Sequence, residues 1–127
     1  MRLNKIHHIA IIGSDYEKSL HFYVDILGLT VIQEHHRVAK NDYKIDLQIN
    51  ANTELELFIK SDAPKRVSYP EAQGLRHLAF ATDNIEADIA FLKAQGVKVD
   101  ELRTDDHTKD KMVFFYDPDN LPIELHE

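Results

Sequence analysis

The sequence predicts an α+β fold made of two βαβββ modules, each a strand, a helix and three further strands. Three observations carry that expectation. A shift of 69 residues lays His8 on His77, Ala10 on Ala79, Glu17 on Glu86, Leu20 on Ile89 and Phe22 on Phe91, and a shift of 68 lays Gly28 on Gly96 and Glu56 on Glu124. Each half opens on an apolar, strand-like segment and follows it with one helix signal closed by a glycine. Each half then returns to short segments that alternate with the period of a strand. Two copies of so long a period describe a duplicated module rather than a solenoid. The expected division is module one at residues 1–60, a connection at 61–74 and module two at 75–127, together forming one domain. A chain of 127 residues can bury a core without staples.

The elements follow in order. His7-His8-Ile9-Ala10-Ile11-Ile12 reads as a buried strand. Ser14-Asp15-Tyr16-Glu17 has the form of a capping box, with Ser14 at N-cap and Glu17 at N3. The helix behind it carries Tyr16, Leu20, Tyr23, Val24 and Leu27 on one stripe, and Gly28 stops it. Leu29–Gln33 reads as a strand. Tyr43–Asn50 alternates strictly, and Thr53–Lys60 sets Leu55, Leu57 and Ile59 against Glu54, Glu56 and Phe58. Residues 61–74 hold two prolines and a glycine with no period, as a connection does.

The second half repeats the plan. Arg76–Ala81 is a strand, and Asp83-Asn84-Ile85-Glu86 is a second cap with Glu86 at N3. Ile85, Ile89 and Leu92 form the helix stripe, and Gly96 closes it. Val97–Leu102 and Lys111–Tyr116 read as strands, Asp117-Pro118-Asp119-Asn120 as a turn with proline at i+1, and Leu121–His126 as the last strand. In each module the helix stripe covers one face of the sheet and leaves the other as a concave floor. Two such floors facing each other would enclose a cavity.

Composition narrows the function. The absence of cysteine excludes disulfides, iron–sulfur clusters, thiolate zinc sites and a cysteine nucleophile. Twenty-two acidic residues against fifteen basic ones give a net charge of −7, which disfavours a nucleic-acid surface. No apolar run approaches the length of a membrane span. Met1–Lys5 leads straight into a strand with no apolar signal segment, so a cytoplasmic protein is expected. Eight histidines beside no cysteine direct attention to a histidine–carboxylate metal site.

The repeat selects four residues for that site. His8 and Glu56 lie 48 residues apart, and His77 and Glu124 lie 47 apart. Each histidine opens the first strand of its half, and each glutamate sits on the last. Glu56 points away from Leu55 and Leu57, and Glu124 points away from Ile123 and Leu125. Because those apolar neighbours need the helix side, both glutamates face the open floor. His8 shares its face with Ala10, and His77 with Ala79 and Ala81, which leaves room to bind something. Any one of these residues alone reads as an ordinary core histidine or solvated glutamate; their recurrence at equal repeat positions singles them out. Two imidazoles and two carboxylates suit Zn²⁺, Ni²⁺, Co²⁺, Mn²⁺ or Fe²⁺ and leave coordination positions open.

These residues also carry a family resemblance. His8-Ile9-Ala10-Ile11, Ser19-Leu20-His21-Phe22-Tyr23, Leu27-Gly28-Leu29, Gly74-Leu75-Arg76-His77-Leu78-Ala79-Phe80, Phe115-Tyr116-Asp117-Pro118-Asp119-Asn120 and Pro122-Ile123-Glu124-Leu125 stand in an order that resembles the vicinal oxygen chelate superfamily. That superfamily includes glyoxalase I, methylmalonyl-CoA epimerase, bleomycin resistance proteins and extradiol dioxygenases. The closest likeness is to bacterial glyoxalase I-like proteins, those of the lactoylglutathione lyase type. The resemblance spans nearly the whole chain. It implies the glyoxalase/bleomycin resistance/dihydroxybiphenyl dioxygenase fold, with a curved sheet around a metal cavity. It further implies one divalent ion per site, Ni or Zn foremost, with Co, Mn or Fe as alternatives. The implied ligands are His8, Glu56, His77 and Glu124. In such enzymes the ion holds two adjacent substrate oxygens and stabilises an enediolate while a carboxylate takes the proton. Glu124 is the implied base, with Glu56 as the alternative.

Two departures separate the chain from glyoxalase I. Ile12 stands where that enzyme has the arginine four residues after its first histidine ligand, and Lys60 where it has the asparagine four residues after its first glutamate ligand. An apolar side chain cannot hold a carboxylate, so a substrate other than the glutathione hemithioacetal is expected. Arg37, Lys44, Lys60, Arg66 and Arg76 are the candidate anion contacts. His7 is expected to face away from His8, and His126 to share the face of Glu124. His35 and His36 are expected beyond the end of a strand. His21 and His107 read as solvated, and Asp105-Asp106-His107 as a loop.

Three function classes follow. The first is a metal-dependent isomerase or lyase of the glyoxalase I-like type. The second is a drug- or metabolite-binding protein on the same scaffold. The third is an extradiol dioxygenase, which needs two histidines and one carboxylate and is disfavoured by Glu56. A small-molecule substrate and a homodimer are expected, with the four ligands drawn from one chain or from halves exchanged between two.

Overall fold

Alternation along the chain resolves into two four-stranded sheets, one in each half. The computed structural model describes every residue from Met1 to Glu127 and divides into a first unit, Met1–Pro64, and a second, Lys65–Glu127. In the first unit, β1 (His8–Gly13) leads into α1 (Tyr16–Leu20), which runs on as a π-helical stretch over His21–Ile26. Strands β2 (Thr30–Arg37), β3 (Asp42–Gln48) and β4 (Glu54–Ile59) complete it. The sheet order is β1-β4-β3-β2, with β1 parallel to β4 and the other pairs antiparallel. The second unit repeats this with β5 (Leu78–Ala81), α2 (Ile85–Ala94), β6 (Arg103–Thr104), β7 (Lys111–Tyr116) and β8 (Pro122–His126), in the order β5-β8-β7-β6. No helix is long and apolar enough to cross a membrane.

Period-2 alternation sorts each sheet into an apolar buried face and a face that carries the polar side chains. In the first unit Ile45, Leu47, Leu55 and Leu57 are wholly buried, with Ile11 and Ile59 beside them. Tyr16 of α1 lies against Tyr43 of β3, ring centroids 5.0 Å apart, so the helix covers the face to which Ile45 and Leu47 belong. In the second unit Ile85 and Leu92 of α2 are buried together with Val113 and Phe115 of β7 and Ile123 of β8. Removal of each such side chain from water contributes roughly 1.5–3 kcal/mol. Together these contacts fix strand register, because a one-residue slip would turn every leucine outward.

Glycine closes both helices where a left-handed residue is needed. Gly28 has φ +76° and donates to Val24 O; Gly96 has φ +77° and donates to Lys93 O, while Val97 donates to Leu92 O. The second arrangement is a Schellman motif, and the first the simpler left-handed cap.

Several local expectations are corrected. The caps sit one residue later than a capping box requires. Asp15, not Ser14, caps α1 by accepting from Lys18 N, and Asn84 caps α2 by accepting from Ala87 N, which puts Glu86 at N2. Aspartate and asparagine are both good caps, and here Asp15 takes the place expected of Ser14 and Asn84 that expected of Asp83. The first helix widens into π turns, marked by Leu27 N donating to Phe22 O. This rotation brings Ser19 and Phe22 inside beside Tyr23, while Tyr16, Leu20, Val24 and Leu27 are only half-buried. β1 is an edge strand, and of its residues only Ile11 and Gly13 are buried. β2 extends to Arg37, with a bulge between Val31 and Gln33, and so includes His35 and His36. Being at an edge with almost every residue exposed, it shows no apolar alternation to read. Val97–Leu102 is no regular strand: it follows β7 through a single bridge, Val99 to Phe115, and bonds at Lys98 and Asp100.

Candidate metal centre

Parallel pairing of the first and last strands places a histidine beside a glutamate in each unit. In the first, Ala10 stands opposite Glu56, and His8 opens the same face two residues earlier. In the second, Ala79 stands opposite Glu124, and His77 again lies two residues earlier. A small residue beside each carboxylate lets the histidine ring lean across it. His8 Nε2 lies 3.7 Å from Glu56 Oε2, and His77 Nε2 lies 3.0 Å from Glu124 Oε2.

The second spacing suits two neighbouring ligands of one metal ion, and the first is a few tenths of an ångström too wide. With metal–nitrogen and metal–oxygen bonds near 2.1 Å, adjacent donors are about 3.0 Å apart in an octahedron and about 3.4 Å in a tetrahedron. Both pairs use Nε2, which leaves Nδ1 for an outer partner that fixes the ring. For His8 that partner is His7, Nδ1 to Nδ1 at 2.9 Å with the rings edge to face. The expectation that His7 turns away from His8 is therefore corrected: His7 precedes β1, so strand alternation does not govern it. His77 Nδ1 is buried and has no hydrogen-bond partner. Its ring is held instead by Phe114, edge-on at a centroid distance of 5.0 Å.

The structure brings the four expected ligands together two by two, one pair within each unit. Neither unit adds a third histidine or carboxylate to its pair. The two pairs differ in their surroundings. Glu124 is buried at 7% exposure, with His77 as its ion-pair partner. Glu56 is half-buried, and its second oxygen, Oε1, lies 3.2 Å from Lys44 Nζ. Lys44 also reaches Asp46 Oδ1 at 2.8 Å, and Gln33 Nε2 donates to Asp46 Oδ2 at 2.9 Å. Burial pushes the Asp46 carboxyl up, but hydrogen bonds from Lys44 and Gln33 outweigh it and leave the group below its ordinary range. The hydrogen bond to Asp46 chiefly, with that to Glu56, holds the Lys44 ammonium above its ordinary range.

The other candidate cations are engaged too. Arg37 grips buried Asp42 with both forks, Nε at 2.7 Å and Nη2 at 2.6 Å, and Lys60 adds a contact at 3.4 Å. Arg76 pairs with Glu71 at 2.8 Å, and Arg66 donates to the carbonyls of Leu75 and Arg76. His126 shares the face of Glu124 in β8 and pairs with its own terminus through Glu127 O. His36 stacks on Tyr43, centroids 4.3 Å apart. Asp105 accepts from the main-chain N–H of His107 and Thr108, so that stretch is a local turn. Sequence reasoning missed Lys44 as the partner of Glu56. The signal was parity: Lys44 and Asp46 occupy the polar face of β3, and Asp46 stands opposite Glu56.

Comparison with known proteins agrees with this architecture. The family model described as Glyoxalase/Bleomycin resistance protein/Dioxygenase superfamily matches residues 5–125. The chain is 49% identical to the uncharacterized protein YwkD of Bacillus subtilis (strain 168), covering 100% of this chain and 99% of that one. It is 48% identical to the uncharacterized protein YaeR of Escherichia coli (strain K12), covering 98% and 97%. Among solved structures, a glyoxalase family protein from Enterococcus faecalis superposes with a TM-score of 0.94 at 54% identity, each chain covered completely. More distant relatives include a lactoylglutathione lyase of Schizosaccharomyces pombe, 29% identical, of which the chain spans 48%. Another is a mitochondrial methylmalonyl-CoA epimerase of Mus musculus, 28% identical, of which it spans 74%.

Proposed function

The chain belongs to the Glyoxalase/Bleomycin resistance protein/Dioxygenase superfamily, and from that premise we propose that it is a divalent-metal-dependent isomerase or lyase acting on a small oxygen-rich substrate. The observation that carries the reading is the recurrence of one donor pair, histidine Nε2 beside a glutamate oxygen, at 3.7 Å and 3.0 Å on equivalent strands of the two units. His8, Glu56, His77 and Glu124 would together hold one ion, Ni²⁺ or Zn²⁺ foremost. Such an ion supplies Lewis-acid polarisation of two adjacent substrate oxygens.

The residues divide the remaining work. Glu56 is tied down by Lys44 and serves as a fixed ligand. Glu124 has no lysine or arginine on it, so it is the carboxylate free to leave the ligand set and take a proton from the carbon beside a carbonyl. Its burial keeps bulk water from competing for that proton. His77, set by Phe114, holds the other side of the pair. The relatedness to a lactoylglutathione lyase and a methylmalonyl-CoA epimerase supports a reaction of this proton-moving class. Ile12, exposed on the face of His8 and Ala10, argues against a glutathione carboxylate at that position.

A second reading is a ligand-binding protein without turnover. It draws support from an antibiotic-binding protein of Streptomyces sp. CB03234, which superposes with a TM-score of 0.73 at 26% identity over 98% of this chain and 96% of that one. Deuterium exchange separates the two. The Ni²⁺-loaded chain is incubated in heavy water with hemithioacetals, epimerisable acyl thioesters and oxoacids, and proton spectra are followed. Catalysed exchange beside a carbonyl, lost in Glu124→Gln, is the expected result. Binding of a panel member with no exchange supports the second reading, and full exchange by Glu124→Gln contradicts the role given to Glu124.

A further inference from the structure

The two glutamates occupy equivalent repeat positions, yet only Glu56 meets a lysine. Lys44 Nζ stands 3.2 Å from Glu56 Oε1, while the other oxygen, Oε2, is the one turned toward His8 Nε2. The lysine is itself fixed. Asp46 takes its ammonium at 2.8 Å, and Gln33 holds the far oxygen of Asp46 at 2.9 Å. Cross-strand register enforces the arrangement, because Gln33 stands opposite Asp46, and Asp46 opposite Glu56. Asp46, the anchor of this chain of contacts, is itself buried, at 5% exposure.

We propose that Lys44 is a positioning residue that restricts Glu56 to one oxygen toward the metal. The proposal rests on the metal reading given above. A carboxylate with both oxygens free can ligate through both and fill two positions. With Oε1 claimed by Lys44, Glu56 offers Oε2 alone. With Glu124 also offering one oxygen, the one turned to His77, four single-atom ligands would leave two positions of an octahedron open, the number that a substrate binding through two adjacent oxygens requires. The cost is affinity, because an ammonium beside the site repels a dication. Glu124 has no such restraint, which fits a carboxylate that must move.

The test uses the intact chain, stripped of metal and loaded with Mn²⁺, whose effect on water-proton relaxation scales with the number of exchangeable positions on the ion. Wild type, Lys44→Met, Lys44→Gln and Lys44→Arg are compared for Mn²⁺ affinity and for relaxation enhancement per bound ion. Lys44→Gln can still donate to Asp46, and so covers the case in which Lys44→Met fails to fold. Loss of the charge is expected to tighten Mn²⁺ by about tenfold, the order that Coulomb's law gives for removing a unit charge near a dication in a largely aqueous setting. Enhancement per ion is expected to fall by roughly half as Glu56 closes one open position. Lys44→Arg should keep both wild-type values. A purely structural lysine would weaken binding and leave the enhancement per bound ion unchanged. Unchanged enhancement in the uncharged variants overturns the proposal whatever their affinity. Failure of the wild-type chain to bind Mn²⁺, Ni²⁺ or Zn²⁺ overturns the metal reading beneath it, and the proposal with it.

Discussion

His77, the residue just before β5, reaches Glu124 of β8, Nε2 to Oε2 at 3.0 Å, past Ala79, which stands opposite that glutamate and leaves the ring room to lean. The first unit repeats the relationship with different support, since His7 backs His8 and Lys44 restrains Glu56. Metal should therefore stabilise the folded chain through these rings. Thermal unfolding with Ni²⁺ at about 100 times its dissociation constant should gain about 2.7 kcal/mol of stability. His77→Ala and His8→Ala should each lose most of that gain at the same Ni²⁺ concentration. A full Ni²⁺ shift in either variant would remove that histidine from the ligand set.

Acid should expose the role of Asp42. The guanidinium of Arg37, then the ammonium of Lys60, hold its carboxyl below the ordinary carboxylate range. A carboxyl lowered in the folded state contributes fully above its unfolded value near pH 4, and the contribution is lost as pH falls through the lower folded value. Wild-type urea midpoints should accordingly fall steeply from about pH 4 downward. Asp42→Asn should start from a lower midpoint at neutral pH and change less across that acid window. Equal slopes in the two proteins would show that Asp42 is not a source of the acid loss.

The caps give a local check. Asp15→Ala and Asn84→Ala each remove the side-chain acceptor for an N–H of the first helical turn, from Lys18 and Ala87 respectively. Each should cost about 1 kcal/mol in urea unfolding. A negligible cost at Asn84 would place the start of α2 elsewhere.

Core packing sets a larger scale. Leu57 is wholly buried in β4, one residue from Glu56 and on the opposite face. Leu57→Ala should cost about 2–5 kcal/mol. Because Glu56 shares its strand, the same variant should also weaken Ni²⁺ binding. Unchanged Ni²⁺ affinity in a destabilised Leu57→Ala would mean that strand register survives without this side chain.

Much of this was legible because the chain states its plan twice. Alternation in Thr53–Lys60 fixed which way Glu56 points, and the repeat carried the same reading to Glu124. Gly28 and Gly96 marked both helix ends, where a positive φ is needed. What escaped had physical causes. The edge strand β2 is solvated on both faces, so the polar stretch Gln33–Arg37 showed no period. The π turns of His21–Ile26 shift the inward direction in a way that a regular helical stripe cannot anticipate. Lys44 looked like any solvated lysine on a polar strand face, because its partners Asp46 and Glu56 come from register rather than from spacing.

Calorimetric titration of the metal-stripped chain with Ni²⁺, alongside Glu56→Gln and Glu124→Gln, tests the proposed four-residue ligand set most directly. One ion per chain is the expected result, with affinity weakened by at least about tenfold in each variant. Two ions per chain, or binding indifferent to either glutamate, would contradict a site in which His8, Glu56, His77 and Glu124 hold a single ion.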